Sequence, residues 1–288
     1  MALPRRCATP PPFGRLVLLA VLLGSAGCVS IPLTEDDLFD PRRSVNPTTY
    51  ERSGATLEER SIPSSDPEVS ISAWWLEVEE PRATVLFFGG RDFHLVQSAN
   101  YLNLFAELSV NALLVDYRGY GDSEGEPSLE AARADAREAH SYVTDALGVA
   151  EGEVVVHGHS IGAYPALSLA DQRGAGGVVL ENPLSRARDW ERAQVPWFGR
   201  IFLSVDFDSG LRAINNITHI RRTSAPVYIV AGGADRVIPP DLARDLYDEA
   251  VSEYREIRVI EGGGHNDLNL FEEYRDGYRR LLEELEAG

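Results

Sequence analysis

Glu153-Val154-Val155-Val156-His157-Gly158-His159-Ser160-Ile161-Gly162-Ala163 is the stretch on which the reading of this 288-residue chain turns. Its three valines form an apolar, β-like run, and Ala163 to Asp171 has the composition of a helix. The serine between them has a glycine two residues away on either side. That is the pattern of a serine held on a sharp strand-to-helix turn. Such a turn strains the serine backbone and leaves no room for side chains at the flanking positions, which accounts for Gly158 and Gly162. The spacing alone is a weak signal, because three fixed residues at roughly 7% each recur by chance in about one chain in ten of this length. The strand before it and the helix after it give it weight.

Two later residues complete a set. Ala225-Pro226-Val227-Tyr228-Ile229-Val230-Ala231-Gly232-Gly233 reads as a buried strand and runs into Ala234-Asp235-Arg236, a turn carrying an acid. Glu256 to Ile260 reads as the next strand, and Glu261-Gly262-Gly263-Gly264-His265-Asn266-Asp267 as a glycine-rich loop presenting a histidine. A serine hydroxyl needs a base to take its proton near neutral pH, and an imidazole both takes and returns one there. A carboxylate fixes the imidazole tautomer and stabilises the imidazolium. Ser160, His265 and Asp235 are therefore read as nucleophile, base and acid. Asp206 and Asp208 are alternatives for the acid. The oxyanion of acyl transfer needs two donors. The expected ones are the backbone N–H of Ile161 and that of Arg91, with Gly90 next, in the turn Gly89-Gly90-Arg91-Asp92 after the apolar run Ala83 to Phe88.

Asp116-Tyr117-Arg118-Gly119-Tyr120-Gly121-Asp122-Ser123-Glu124-Gly125 resembles the loop after the fourth strand in small-lid serine hydrolases of the α/β-hydrolase superfamily. That group is related to lysophospholipid, acyl-protein and dienelactone hydrolases. His265-Asn266-Asp267 after a glycine run is similar to it as well, and the chain order Ser, Asp, His is the one these folds use. The resemblance covers roughly residues 56 to 285. It implies an α/β fold with a mostly parallel, twisted sheet, helices on both faces and a short lid insertion after the sixth strand. It implies the roles given above for Ser160, Asp235 and His265. One departure is local: relatives carry His-Gly where this chain has Gly89-Gly90.

The alternation of elements agrees with that architecture. Ile71 to Val78 reads as an early antiparallel strand, Ser98 to Leu108 as a helix and Asn111 to Tyr117 as a strand. Ser128 to Leu147 reads as a long helix opened by a capping serine, and Gly177 to Glu181 as the strand after the Ser160 helix. Residues 183–224 fit no simple crossover and are expected to form the lid. Trp190, Trp197, Phe198, Phe202 and Phe207 concentrate there, either packing the lid onto the body or lining an acyl pocket. Among other polar groups, Asp116 and Arg118 are expected to pair, Asp267 to tie down the histidine loop, and His94 to lie at the surface or else touch substrate. His157 and His159 are read as packing or solvent-facing, and His140 and His219 as structural or solvent-facing.

The N-terminus reads as a processing signal. Arg5, Arg6 and Arg15 precede an apolar stretch, Leu16 to Leu23, that is short for a bilayer span, and Ser25-Ala26-Gly27 precede Cys28. A cysteine at that point resembles a bacterial lipobox with Ser25 in the usual leucine position. The expected organisation is a signal peptide at 1–27, a tether at 28–55 lipid-anchored through Cys28 that then packs onto the domain edge, and a hydrolase domain at 56–288. Val29 in place of a retention aspartate points to the outer membrane, facing the periplasm. Residues 1–27 hold three of the 27 basic residues and none of the 45 acidic ones, so 24 against 45 remain, a net of −21. Such a surface repels nucleic acid and anionic head groups. The chain has no lysine, which excludes Ser–Lys and Schiff-base mechanisms. No cofactor and no metal are expected: the single cysteine left after cleavage and the scattered histidines lack metal-ligand spacing.

Two classes of function remain. One is an esterase or thioesterase working on a small-molecule or acyl substrate through a Ser160 acyl-enzyme, with a peptidase or amidase as its variant. The other is a non-catalytic envelope lipoprotein using the fold as a binding scaffold, which would need none of the three residues.

Overall fold

The computed structural model describes residues 29–42, 45–50, 54–194 and 203–288. The expected signal peptide, Cys28 and the aromatics Trp197, Phe198 and Phe202 lie outside the described residues. Eight strands among them form one sheet: β2 (Ala55–Pro63), β3 (Ser70–Val78), β4 (Thr84–Phe88), β5 (Asn111–Val115), β6 (Val154–His159), β7 (Gly177–Glu181), β9 (Val227–Gly232) and β10 (Arg255–Ile260). Their spatial order is β10-β9-β7-β6-β4-β5-β3-β2. Pairings from β5 to β10 are parallel, and β3 is antiparallel to both its neighbours.

Every residue of β4, β5, β6, β7 and β9 is buried, which is why these segments read as continuous apolar runs. Side chains alternate between two cores. Along β4, Leu86 and Phe88 enter a core shared with α2 (Leu129–Ser141), α3 (Ala163–Arg173) and α7 (Asp241–Glu249). Val85 and Phe87 enter the opposite one, shared with α1 (Ala99–Glu107) and α8 (Glu272–Ala287). The edge strand β10 carries Arg255, Glu256 and Arg258, charges that discourage pairing with another chain. The Ser128 Oγ caps α2 by accepting the Ala131 N–H at 3.0 Å, and that helix ends in one wide turn closed by the Leu147 N–H on the Tyr142 carbonyl.

A third apolar cluster includes Tyr117 and Tyr120 of the loop after β5. The insertion after β7, the sixth strand of the sheet, supplies part of it through α4 (Ala187–Gln194), β8 (Leu203–Phe207) and α5 (Ser209–Ala213), before α6 (Asn216–Ile220). Trp190 donates its indole N–H to the Val237 carbonyl at 2.8 Å, and Phe207 is buried. Both rings pack the insertion onto the body.

Residues 29–42, in the segment expected to be a tether that packs onto the domain edge, form a strand and dock on the body. β1 (Val29–Leu33) pairs in parallel with β8, from Val29 opposite Leu203 to Leu33 opposite Phe207. Among the described residues β1 is the strand that pairs with β8, and Pro32 is tolerated because β1 has a neighbour on one side only there. Ile31 and Leu33, alternate residues of β1, pack against the third cluster. The Glu35 N–H donates to Asp208 at 2.8 Å, and the Glu35 carboxylate accepts the Leu129 N–H at 3.0 Å. Phe39 is buried edge-on to Tyr117, with ring centres 5.8 Å apart.

One expected ion pair is not made. Arg118 pairs with Asp135 of α2, at 2.7 and 2.8 Å, because the loop turns its guanidinium toward that helix. Asp116 is buried instead, accepts the Leu95 N–H at 3.0 Å, and sits against Gly121, where a Cβ would strike its carboxylate. His94 is buried too, beside Tyr120, and not at the surface.

Two stability predictions follow from this packing. Phe39→Ala should cost about 3 kcal/mol, the usual range for a buried phenylalanine, read as a lower midpoint in chemical denaturation. An unchanged midpoint would mean that the N-terminal segment is not docked. Burial raises the Asp116 carboxyl from 3.8 to about 7, with Asp122 adding to the rise. A raised acid favours the folded state fully below its unfolded value, and that contribution disappears as pH climbs through the folded one. Asp116→Asn, which keeps an acceptor for the Leu95 N–H, should therefore raise Tm over wild type at pH 8 and not at pH 4.

Candidate active site

Ser160 stands at the carboxyl end of β6, one residue past the strand, with φ at +56°. A non-glycine residue in that left-handed region is strained, and the packing around it shows what holds it there. A Cβ on Gly162 would overlap the Phe88 carbonyl of β4, and one on Gly158 would overlap the Gly162 carbonyl and the Ala163 backbone. Both glycines are thus required by backbone contact. The turn leads directly into α3.

The structure brings the three sequence-predicted side chains into one line. His265 Nε2 lies 3.0 Å from Ser160 Oγ, and His265 Nδ1 lies 2.7 Å from Asp235 Oδ2. The Asp235 side chain is fully buried, and its other oxygen accepts the N–H groups of Val237 at 2.7 Å and Ile238 at 3.0 Å. Those bonds orient the carboxylate and satisfy the oxygen that does not face the imidazole. The histidine loop is held by Asp267, whose carboxylate accepts the Gly264 N–H at 2.7 Å. Asp206 and Asp208 are engaged elsewhere: Asp206 pairs with Arg212, and Asp208 caps α5 through the Leu211 N–H. Asp235 is the acid that meets His265.

The loop after β4 lies against Ser160. A Cβ on Gly90 would come within 3.3 Å of Ser160 Cβ and 3.0 Å of the His159 ring. Tyrosine hydroxyls of the loop after β5 fix it from behind: Tyr117 donates to the Gly89 carbonyl at 2.8 Å and Tyr120 to the Arg91 carbonyl at 2.8 Å. The Tyr120 hydroxyl in turn accepts the Asp40 N–H at 2.6 Å, so the N-terminal segment reaches this loop through one hydroxyl. Ile161, the other expected donor residue, is half-buried beside the third cluster.

Several supporting residues carry no sequence signal of their own. His159, expected to pack or face solvent, contacts the main-chain carbonyl of His265 through Nε2 at 2.9 Å. Asn182, immediately after β7, reaches the same carbonyl at 2.9 Å. Its place at a strand's carboxyl end was the only available clue. Deeper in the core, Glu181 accepts the hydroxyls of Tyr274 at 2.9 Å and Tyr101 at 3.2 Å, with His157 beside it. Burial lowers the pKa of both His157 and His159, so each ring is neutral near pH 7. His219 is tied to Asp171 at 2.8 Å and His140 is buried, both away from this line.

A family model described as "Serine aminopeptidase, S33" matches residues 79–214, a span that includes Ser160 and stops before Asp235 and His265. An uncharacterised protein of Mycobacterium tuberculosis is 33% identical over 179 residues, covering 62% of this chain and 61% of that protein. Alpha/beta hydrolase domain-containing protein 17B of Xenopus laevis is 30% identical over 200 residues, covering 69% of this chain and 66% of that one. The chain therefore spans just under two thirds of the length of the curated relatives it matches. Among solved structures, an esterase of Pyrococcus furiosus superposes with a TM-score of 0.68 at 18% identity, over 86% of this chain and 98% of that one. Its sheet order, its parallel core and the likeness to that esterase show the α/β-hydrolase fold, and in sequence the chain is similar to proteins described as α/β hydrolases.

Proposed function

We propose that the chain hydrolyses a carboxylic ester or thioester through an acyl-enzyme on Ser160. The observation that carries this reading is the hydrogen-bonded line from Ser160 Oγ through His265 to Asp235, at 3.0 and 2.7 Å. Ser160 Oγ attacks the substrate carbonyl while His265 Nε2 takes its proton. Asp235 holds Nδ1–H and offsets the positive charge that forms on the ring. The N–H groups of Ile161 and of Arg91, with Gly90 as the nearer alternative, receive the oxyanion. His265 then returns the proton to the departing alkoxide or thiolate. A water attacks the acyl-enzyme with His265 again as base, releasing the acid and restoring Ser160.

The insertion at 183–224 is short, which fits a small or medium acyl chain or the end of a larger molecule. The description of the matching family supports one second reading, in which the same serine cleaves an amide. We place the mature chain in the cell envelope, released from residues 1–27 and attached through a lipid on Cys28 to an outer membrane.

A fluorophosphonate should label the purified protein and fail on Ser160→Ala, and short p-nitrophenyl esters should turn over in parallel. Folded wild type that neither labels nor turns over would reject the catalytic reading in favour of a binding scaffold. Asp235→Asn should lower kcat by about 10³-fold or more, since it removes the group that fixes the tautomer. On an ester series, activity should peak at short to medium chains; a long-chain optimum would contradict the reading drawn from the short insertion. Preference for p-nitroanilides over matched esters would favour the amidase. Palmitate incorporation that survives Cys28→Ser would refute the anchor.

A further inference from the structure

Holding a catalytic imidazole to within about 0.5 Å of its working place requires that its backbone be held, and two side chains outside the line of Ser160, His265 and Asp235 converge on that backbone. Asn182 Nδ2 donates to the His265 carbonyl at 2.9 Å and lies 3.1 Å from the Gly264 carbonyl, while its Oδ1 accepts the Gly232 N–H at 2.8 Å. One amide thereby ties the end of β9, which feeds the Asp235 turn, to the loop that carries His265. The two backbones touch there: a Cβ on Gly232 would overlap the Gly263 and Gly264 carbonyls. His159 Nε2, from the residue next to the nucleophile, meets the same His265 carbonyl at 2.9 Å.

Both side chains are committed to this contact. Asn182 is buried and adopts φ of +44°, an unfavourable backbone for a non-glycine residue, which aims its amide between the two loops. Asparagine tolerates that region better than most residues. His159 is buried with its pKa lowered, so its single ring proton must sit on Nε2 to serve the carbonyl.

We propose that His159 and Asn182 are positioning residues that clamp the main-chain carbonyl of His265 and so set the distance and angle of its imidazole to Ser160 and Asp235. The role rests on the acyl-enzyme reading above. Neither residue touches the reacting atoms. Together they join the carboxyl ends of β6 and β7 to the His265 loop through one acceptor, and the Asn182 Oδ1 adds the end of β9, so loosening either lets the base drift.

The test uses the full chain and four variants. Asn182→Gly removes the amide and relieves the positive φ, so it should fold at least as readily as other substitutions there. Asn182→Asp keeps the shape but puts an acceptor against two carbonyls. His159→Phe removes the ring donor, and His159→Gln restores an N–H donor near the same place. The expected result is a fall in kcat and in fluorophosphonate labelling rate of about 10- to 100-fold for Asn182→Gly, Asn182→Asp and His159→Phe, the scale of a misplaced catalytic group. KM should stay within about twofold, and His159→Gln should recover most of the loss. A proton NMR signal from the His265 N–H bonded to Asp235 should be sharp in wild type and His159→Gln, and broadened or shifted in the other three. That signal reports on the clamp whether or not any ester is turned over, so a dead wild type with the pattern intact would reject the acyl-enzyme reading alone. Unchanged kcat in Asn182→Gly, a loss confined to KM, or His159→Gln as impaired as His159→Phe would overturn the clamp.

Discussion

The structure depends on one steric constraint: the chain must reverse from β6 into α3 with no side chain between it and β4. The Gly162 backbone packs against the Phe88 carbonyl and the Gly158 backbone against that of Gly162 and Ala163. Any larger residue at either place would push the helix off the sheet. The same contact holds Ser160 at φ of +56°, with its hydroxyl 3.0 Å from His265 Nε2. Strain of this kind costs of order 1–3 kcal/mol and persists only where packing over-determines it. Here the valines of β6, buried in two cores, and α3, packed along the sheet, supply that packing.

The other strand ends assemble around this fixed point. β4 delivers Gly90 against Ser160, β9 delivers Asp235, and the loop after β10 delivers His265. Open parallel sheets gather their ligand sites at this edge because loops leave it side by side. What turns adjacency into alignment is a set of hydrogen bonds to backbone. Asp235 is oriented by two N–H groups, the His265 loop by Asp267, Asn182 and His159, and the Gly89–Arg91 loop by two tyrosine hydroxyls. The insertion and the N-terminal segment close over the same end by pairing β8 with β1.

Much of this was legible because the decisive signals are local. Ser160, Asp235 and His265 each follow a segment that reads as a strand, and glycines mark all three turns. The missing parts are those with no local signal. The pairing of β1 with β8 joins segments more than 150 residues apart, and nothing in Val29 to Leu33 announces its partner. Asp116 and Arg118 are near neighbours in sequence, yet the loop buries one and turns the other toward Asp135. Asn182 and His159 act on main-chain carbonyls, which every residue has, so no spacing of residue types reveals them. Tyr120, whose hydroxyl links Asp40 to Arg91, lay in a recognised loop but had no readable role.

The central claim is that Ser160 carries the acyl group. It is tested most directly by acid-quenching the protein during turnover of a short p-nitrophenyl ester and mapping the adduct by peptide mass spectrometry. The account predicts one acyl group on the peptide containing Ser160, formed in the first turnover and absent from Ser160→Ala. Turnover with no adduct under conditions that slow deacylation, or an adduct on a different residue, would contradict it.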